Sequence, residues 1–371
     1  MAAWAEAVVL TVQRTLRAGA GYALPLPLLI AACLCAQQPR CPAPESDLTA
    51  LANEGIALSR KGQYPAAADC YRKALAINPK IPEIQLNLAL AEFKLGRFRE
   101  AIEPLRAVLS MDSGNLQART LLGMSYYGAR MYADAVPVLD AALAAQPDNA
   151  ELRYVFAQSC LWAGRYDRAL KEFERLLKDR SDSAAVHILL AQALDGLGRQ
   201  NEAIAELQAA ARSSPSAPNV HFGLGYLFWN QQRDEEAERE FRLELAQDPS
   251  HAQAYAWLGD IALRRGDPKS ARPLLEKALR LSPDIRIAHL DLGVIYAGEK
   301  QYVRAIAALR EAARLDPSRS DAHYRLGRLY QETGRKREAE AEFAIVRRLS
   351  RATTEDALHK VSGPPPSQPG R

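Results

Sequence analysis

Ile287–Pro317 reads IAHLDLGVIYAGEKQYVRAIAALREAARLDP, a helical hairpin written in a short code. Leu292, Gly293 and Tyr296 recur at the spacing of one helix face, and Tyr302, Ala305, Leu309 and Ala312 do so on a second helix. Pro317 closes the unit, because proline cannot continue a helix. Carried along the chain in steps of 34, this register fits nine times without an insertion or deletion: 48–81, 82–115, 116–149, 150–183, 184–217, 218–251, 252–285, 286–319 and 320–353. The eighth position is always Gly or Ala, from Gly55 to Gly327, and the twentieth is always Ala, from Ala67 to Ala339. The twenty-fourth is Leu, Phe or Tyr, from Tyr71 to Phe343. A period of this length marks an array of one repeated unit rather than a set of separate domains.

Each term of the code has a physical reason. A small residue at position 8 lies where the first helix of the hairpin (A) crosses the second (B), and the Ala at position 20 does the same from B. Positions 17 and 24, such as Tyr166 and Phe173, are expected to fill the space between hairpins. Gly at position 15 (Gly62, Gly96, Gly164, Gly198, Gly266 and Gly334) suits the tight turn after helix A. No hairpin buries its apolar face alone, so stability has to come from stacking.

These features resemble the tetratricopeptide repeat family over residues 48–353. The resemblance implies an all-α fold, a right-handed superhelical solenoid of nine tandem hairpins with a concave inner face. It also implies a non-catalytic scaffold that binds partner proteins or peptides in that groove, with positions 2, 5, 9 and 12 of each helix A pointing inward. Two departures stand out. No unit has Trp at position 4, and Glu244 occupies position 27, where other units mostly carry Ala or another apolar residue. Glu244 bears on how tightly the sixth hairpin packs.

On the positional analogy the groove is lined by Phe93, Tyr127, Tyr154, Phe222, Tyr226, Trp229 and Tyr324. Phe222, Tyr226 and Trp229, three and four residues apart, form the strongest local candidate for a partner-binding surface. The competing reading is that these side chains pack between adjacent A helices. Lys at position 5 and Asn at position 9, which a two-carboxylate clamp of this family requires, are missing: the first two units carry Ala52 and Ile56, Leu86 and Leu90. Asn53 and Asn87 at position 6 are too few for the asparagine ladder of the sugar-transferase members.

Composition adds limits. A net charge of +4, with acids and bases interspersed, argues against a dedicated nucleic-acid surface. No phosphate loop, nucleophile elbow, Cys-x-x-Cys or His-Glu-x-x-His is present, and the array leaves no room for a catalytic domain. No catalytic residue, cofactor or metal is therefore expected. His187, His221, His289 and His323 share position 4, but equivalent positions of stacked hairpins are too far apart to converge on one ion. Cys70 and Cys160 read as buried packing residues, too distant in a stack to pair with each other. Unpaired internal thiols would not favour a strongly oxidising compartment.

The ends differ from the array. Residues 1–36 read as a signal peptide or lipoprotein signal: Arg14 and Arg17 precede the uncharged stretch from Ala18 to Ala36. Ile30-Ala31-Ala32-Cys33 resembles a bacterial lipobox, which makes Cys33 the lipidation candidate; cleavage after Ala36 and a retained membrane anchor are the rivals. Glu6 in an apolar start suggests translation from a later codon. Residues 37–47 read as a flexible tether, 354–361 as a capping turn or helix and 362–371 as a disordered tail. The expectation is an exported bacterial protein, periplasmic, envelope-anchored or secreted, working as a protein-binding scaffold. Two alternatives remain: an accessory carbohydrate-binding or polysaccharide-export protein, and a regulatory subunit of a separately encoded enzyme.

Overall fold

The computed structural model describes Cys41, residues 47–179 and residues 183–362. The signal segment with Cys33, the tether apart from Cys41 and Asp47, and the tail from residue 363 lie outside the described residues. Every described secondary-structure element is a helix, 18 in all. The chain divides into two compact units at Ala217–Pro218.

The first unit holds five hairpins. They are α1 (Leu48–Arg60) with α2 (Tyr64–Ile77), α3 (Pro82–Lys94) with α4 (Phe98–Met111), and α5 (Leu116–Gly128) with α6 (Tyr132–Ala145). Then follow α7 (Ala150–Trp162) with α8 (Tyr166–Asp179), and α9 (Ala184–Gly196) with α10 (Gln200–Ser213). The second unit holds four: α11 (Val220–Asn230) with α12 (Asp234–Gln247), α13 (Ala252–Arg264) with α14 (Pro268–Leu281), α15 (Arg286–Gly298) with α16 (Tyr302–Leu315), and α17 (Ser320–Glu332) with α18 (Lys336–Ser362). Odd-numbered helices are the A helices. Within each unit, helices packed together are neighbours in sequence or A helices of successive hairpins, the pattern of a solenoid.

Local chemistry sets the ends of these helices. Asp47, Asn115, Asn149 and His251 accept the N–H of Ala50, Ala118, Leu152 and Ala254, so an unpaired donor of each A helix is satisfied. The turn from A to B places position 15 in the left-handed region throughout. The six glycines there have φ between 71° and 77°, and Arg130, Gln232 and Lys300 take the same conformation at 59–61°. Those three side chains are held against the steric preference of L-residues.

Packing explains position 8. A Cβ on Gly55 would lie 2.5 Å from the Tyr71 ring, one on Gly123 2.5 Å from Leu139, and one on Gly225 2.7 Å from Phe241. Position 8 therefore faces position 24 of its own hairpin, which corrects the expectation that position 24 fills the space between hairpins. Position 17 does that: the Tyr166 ring lies where a Cβ on Gly196 of the next hairpin would stand, and Phe98 lies likewise against Gly128. Tyr71, Phe173 and Phe241 are fully buried, each contributing about 1.5–3 kcal/mol of apolar burial.

Two further features depart from the sequence reading. Cys70 is joined to Cys41 in a disulfide, with Cα atoms 5.0 Å apart. Cys41 is thus a fastening point rather than a residue of a free tether, and Cys70 is not merely a packing thiol. The Cys41 N–H donates to Asp69 Oδ2 at 2.7 Å, and both sulfurs join the apolar cluster of the first hairpin with Leu51, Ala66 and Tyr71. Cys160 stays free and buried, its thiol pushed up to about 12 by burial. At the other end, residues 354–361 continue α18 without a break rather than starting a separate cap. Among the described residues no helix is long and apolar enough to cross a membrane.

Candidate functional site

The sixth hairpin is where the array departs from its own pattern. Its A helix, α11, starts at Val220, two residues late, after Asn219 in a left-handed conformation (φ 63°). Asn219 provides no side-chain cap. Glu244, reaching across from α12, accepts the N–H of Phe222 at 3.0 Å and of Asn219 at 3.3 Å. A carboxylate suits this place, because helix N-termini carry unpaired donors and a positive dipole end. Glu244 is only 3% exposed, so the unusual residue at position 27 caps the hairpin from within rather than loosening it. His251 closes the cluster. Its Nδ1 accepts the Ala254 N–H, so Nε2 carries the proton and donates to Asn219 Oδ1 at 3.1 Å. Burial lowers the pKa of this imidazole against the opposing pull of Glu244 and Asp248.

The aromatic residues expected in the groove fall into four groups. Phe222 is fully buried, with ring centroids 5.7 Å from Phe241 and 4.6 Å from His251. It has no surface to offer a partner, and this corrects its assignment: position 5 of α11 points at its own B helix. Tyr226 is buried and Trp229 half-buried, and both pack on Trp257 of the next A helix at 5.7 and 4.3 Å. Phe93, Tyr127 and Tyr154 of the first unit are half-buried. Phe93 meets Phe98 edge-on at 5.3 Å, and Tyr127 meets Tyr132 at 5.8 Å. The Tyr127 hydroxyl donates to Gln158 Oε1 at 2.6 Å, and burial raises the pKa of both Tyr127 and Tyr154. Tyr324 alone of the seven is open, at 49% exposure.

Polar groups accompany these aromatics along the A helices of the second unit. Trp229 Nε1–H donates to Asp260 Oδ2 at 2.5 Å, Arg264 Nε pairs with the same oxygen at 3.1 Å, and the guanidinium lies over the Trp229 ring. Burial pushes Asp260 up, against Trp229 and Arg264, which hold it down. The cluster satisfies itself. On the next A helix, α15, Asp291 is 5% exposed, and its Oδ2 has no hydrogen-bond partner among the described residues. Burial pushes its carboxyl well above the usual range.

Further along, a cavity of about 270 Å³ opens between α15 and α17. Gly293, Val294 and Ala297 contribute from α15, and Tyr324, Arg325, Arg328 and Glu332 from α17. Arg325 and Arg328 are exposed. Arg325, at position 6, lies outside the four positions taken as inward-pointing, so the analogy passed over it. Two arginines three apart on an A helix, where other units are mostly apolar, were the available signal.

The histidines of position 4 serve the hairpins. His187, His221 and His323 pair with Glu206, Glu240 and Glu342 of their own B helices at 2.6–2.7 Å, and His289 bonds the Pro283 carbonyl. Among the described residues no group of three or more potential ligands could hold a metal ion.

Comparison with known proteins agrees with this geometry. Tetratricopeptide repeat models match residues 53–115, 188–252, 222–284 and 258–320, and a second such model matches 126–193 and 296–355. No curated protein matches the chain. Among solved structures, a chain in the crystal structure of the APC/C hetero-tetramer Cut9-Hcn1 is 15% identical over 82% of this chain and 74% of that one, with a TM-score of 0.55. A tetratricopeptide repeat protein from Parabacteroides merdae is 16% identical over 67% of this chain and 98% of its own, with a TM-score of 0.50. MamA from Desulfovibrio magneticus RS-1 is 27% identical over 46% of this chain and 96% of its own, with a TM-score of 0.39. With repeat models matched over more than half its length, the chain belongs to the tetratricopeptide repeat family, whose members are generally non-catalytic scaffolds for protein–protein interaction.

Proposed function

We propose that this protein is a scaffold that holds partner proteins or peptides against the A-helix face of its hairpins, in a bacterial cell envelope. The observation that carries the binding part is the open stretch of α17. There Tyr324, Arg325 and Arg328 stand exposed beside a cavity, while the other candidate aromatics are buried or half-buried against their neighbours. The envelope part is supported by the Cys41–Cys70 disulfide, since such bonds persist in oxidising compartments. The uncharged stretch from Ala18 to Ala36 supports it from the sequence. Cys33 would then be either a lipid anchor or part of a cleaved signal. A carbohydrate platform is less well supported, because it needs open ring faces and Phe222 and Tyr226 have none.

A photo-cross-linking amino acid placed at Tyr324 tests the binding surface in living cells, with the same residue at Val303, a B-helix position 83% exposed, as the control. Protein adducts from Tyr324 and none from Val303 are expected. Equal adducts at both, or none at Tyr324, would refute the A-helix reading. Fusion of residues 1–46 to an export-dependent reporter tests the compartment, and an inactive reporter would count against it.

A further inference from the structure

We propose that the cavity between α15 and α17 is a subsite for an acidic side chain of an extended peptide, held by Arg325 and Arg328 with its apolar neighbour seated on Val294 and Ala297. The inference rests on the scaffold reading above and names the chemistry of its ligand.

Charge is the first argument. Exposed arginines of this chain commonly pair with a carboxylate three residues away in sequence, as Arg199 does with Glu202, Arg314 with Glu311 and Arg335 with Glu338. Arg325 and Arg328 make no hydrogen bond or ion pair among the described residues, and they lie one turn apart on α17. Glu332 is the one carboxylate lining the cavity, and it accepts the Tyr302 hydroxyl at 3.1 Å. The Asp291 carboxyl is buried and does not line the cavity; burial pushes it well above its usual range, against the pull of Arg325. Two guanidinium groups thus face one carboxylate, and the imbalance suits an anion, which Arg binds through paired donors.

Size and lining make the second argument. At about 270 Å³ the cavity is smaller than the roughly 300–1,000 Å³ of small-molecule sites. It has room for one or two side chains. Its α15 wall is Gly293, Val294 and Ala297, apolar and shallow, and Tyr324 flanks it. An acidic residue next to an apolar one satisfies both parts.

The test uses fluorescence anisotropy of the full chain with a fluorescein-labelled, C-terminally amidated peptide, Gly-Leu-Glu-Leu-Glu-Leu-Gly. The control replaces both Glu by Gln. The Glu peptide should bind, and the Gln peptide should bind about tenfold more weakly, as should the Glu peptide to the Arg325→Gln/Arg328→Gln double variant. Added salt should weaken only the Glu peptide. Both arginines are exposed, so circular dichroism of the variant should be unchanged; the Arg325→Lys/Arg328→Lys variant should keep part of the affinity. Equal binding of the two peptides, or full binding by the Gln double variant, would overturn the subsite. Binding that appears only when the peptide carries a free C-terminal carboxylate would overturn it as well. In each of these cases adducts from Tyr324 would leave the scaffold reading standing, so the two failures can be told apart.

Discussion

Breaking the Cys41–Cys70 bond should loosen the first hairpin and leave the rest of the array intact. The bond joins residues 29 apart, and the loop it closes contains all of α1. In the chain-entropy account, a loop of this length removes about 3.6 kcal/mol of freedom from the opened state. A terminal hairpin of a solenoid opens on its own, because it leans on one neighbour only. If all of that free energy acts locally, reduction raises the opened population about four-hundredfold. The assay is amide hydrogen exchange with and without dithiothreitol, on the wild type and on Cys41→Ser. Exchange in α1 should accelerate by up to that factor, while α14 keeps its rate. A second signal comes from Asp69. Burial pushes its carboxyl up, but the Cys41 N–H, Lys73 and Arg72 outweigh this and hold it below the usual value. Its stabilising effect is present above the unfolded carboxylate pKa and fades as pH falls through the folded one. Cutting the bond frees residue 41 to leave, so the titration of Asp69 should move up. The reasoning fails if α1 exchanges at the same rate in both conditions, or if unreduced protein alkylates at both cysteines.

Three other outcomes are expected. Lys300→Gly should raise stability by about 1 kcal/mol by relieving a left-handed side chain, while Gly164→Ala should lower it by a similar amount, both read from urea melts. Glu244→Ala should cost about 2–3 kcal/mol, because it strands the buried N–H groups of Asn219 and Phe222; Glu244→Gln, which keeps an acceptor, should cost less in the same melts. The histidines of the sixth hairpin should respond to acid in opposite senses. His221 is raised by its bond to Glu240, with Glu244 adding to it, so its contribution is complete below about pH 6.5 and is lost as pH rises through the folded pKa. His251 is lowered by burial, so it withdraws stability as pH falls below about 6.5. His251→Gln should therefore flatten the acid loss seen in melts at pH 8 and pH 5.5, and His221→Gln should steepen it.

Much of the fold was legible in the sequence because the code is local. Helix starts and turns depend on residues within one 34-residue unit, and the turn glycines are required by a left-handed backbone that few other residues tolerate. Spacing alone implied the two small residues at the crossing inside one hairpin, but not that the large residue at position 24, such as Phe241 beside Gly225, meets them there. Glu244 was visible as a departure, yet its purpose was not: a carboxylate at position 27 reads as poor packing until the late start of α11 shows which donors it meets.

By itself the sequence determined the register, the all-helical hairpins and the absence of any familiar catalytic motif, all of which follow from periodicity and short-range sterics. Only the tertiary structure decided which side chains remain open. Phe222 and Tyr324 both occupy position 5, but the first is sealed by Phe241 and His251 and the second is half exposed. The pairing of Cys41 with Cys70 was likewise out of reach. A disulfide depends on two Cα atoms coming within about 7 Å, and that distance is set by where Cys41 comes to lie against α2. Exposure and approach are properties of neighbours tens of residues away, and a repeat pattern carries no record of them.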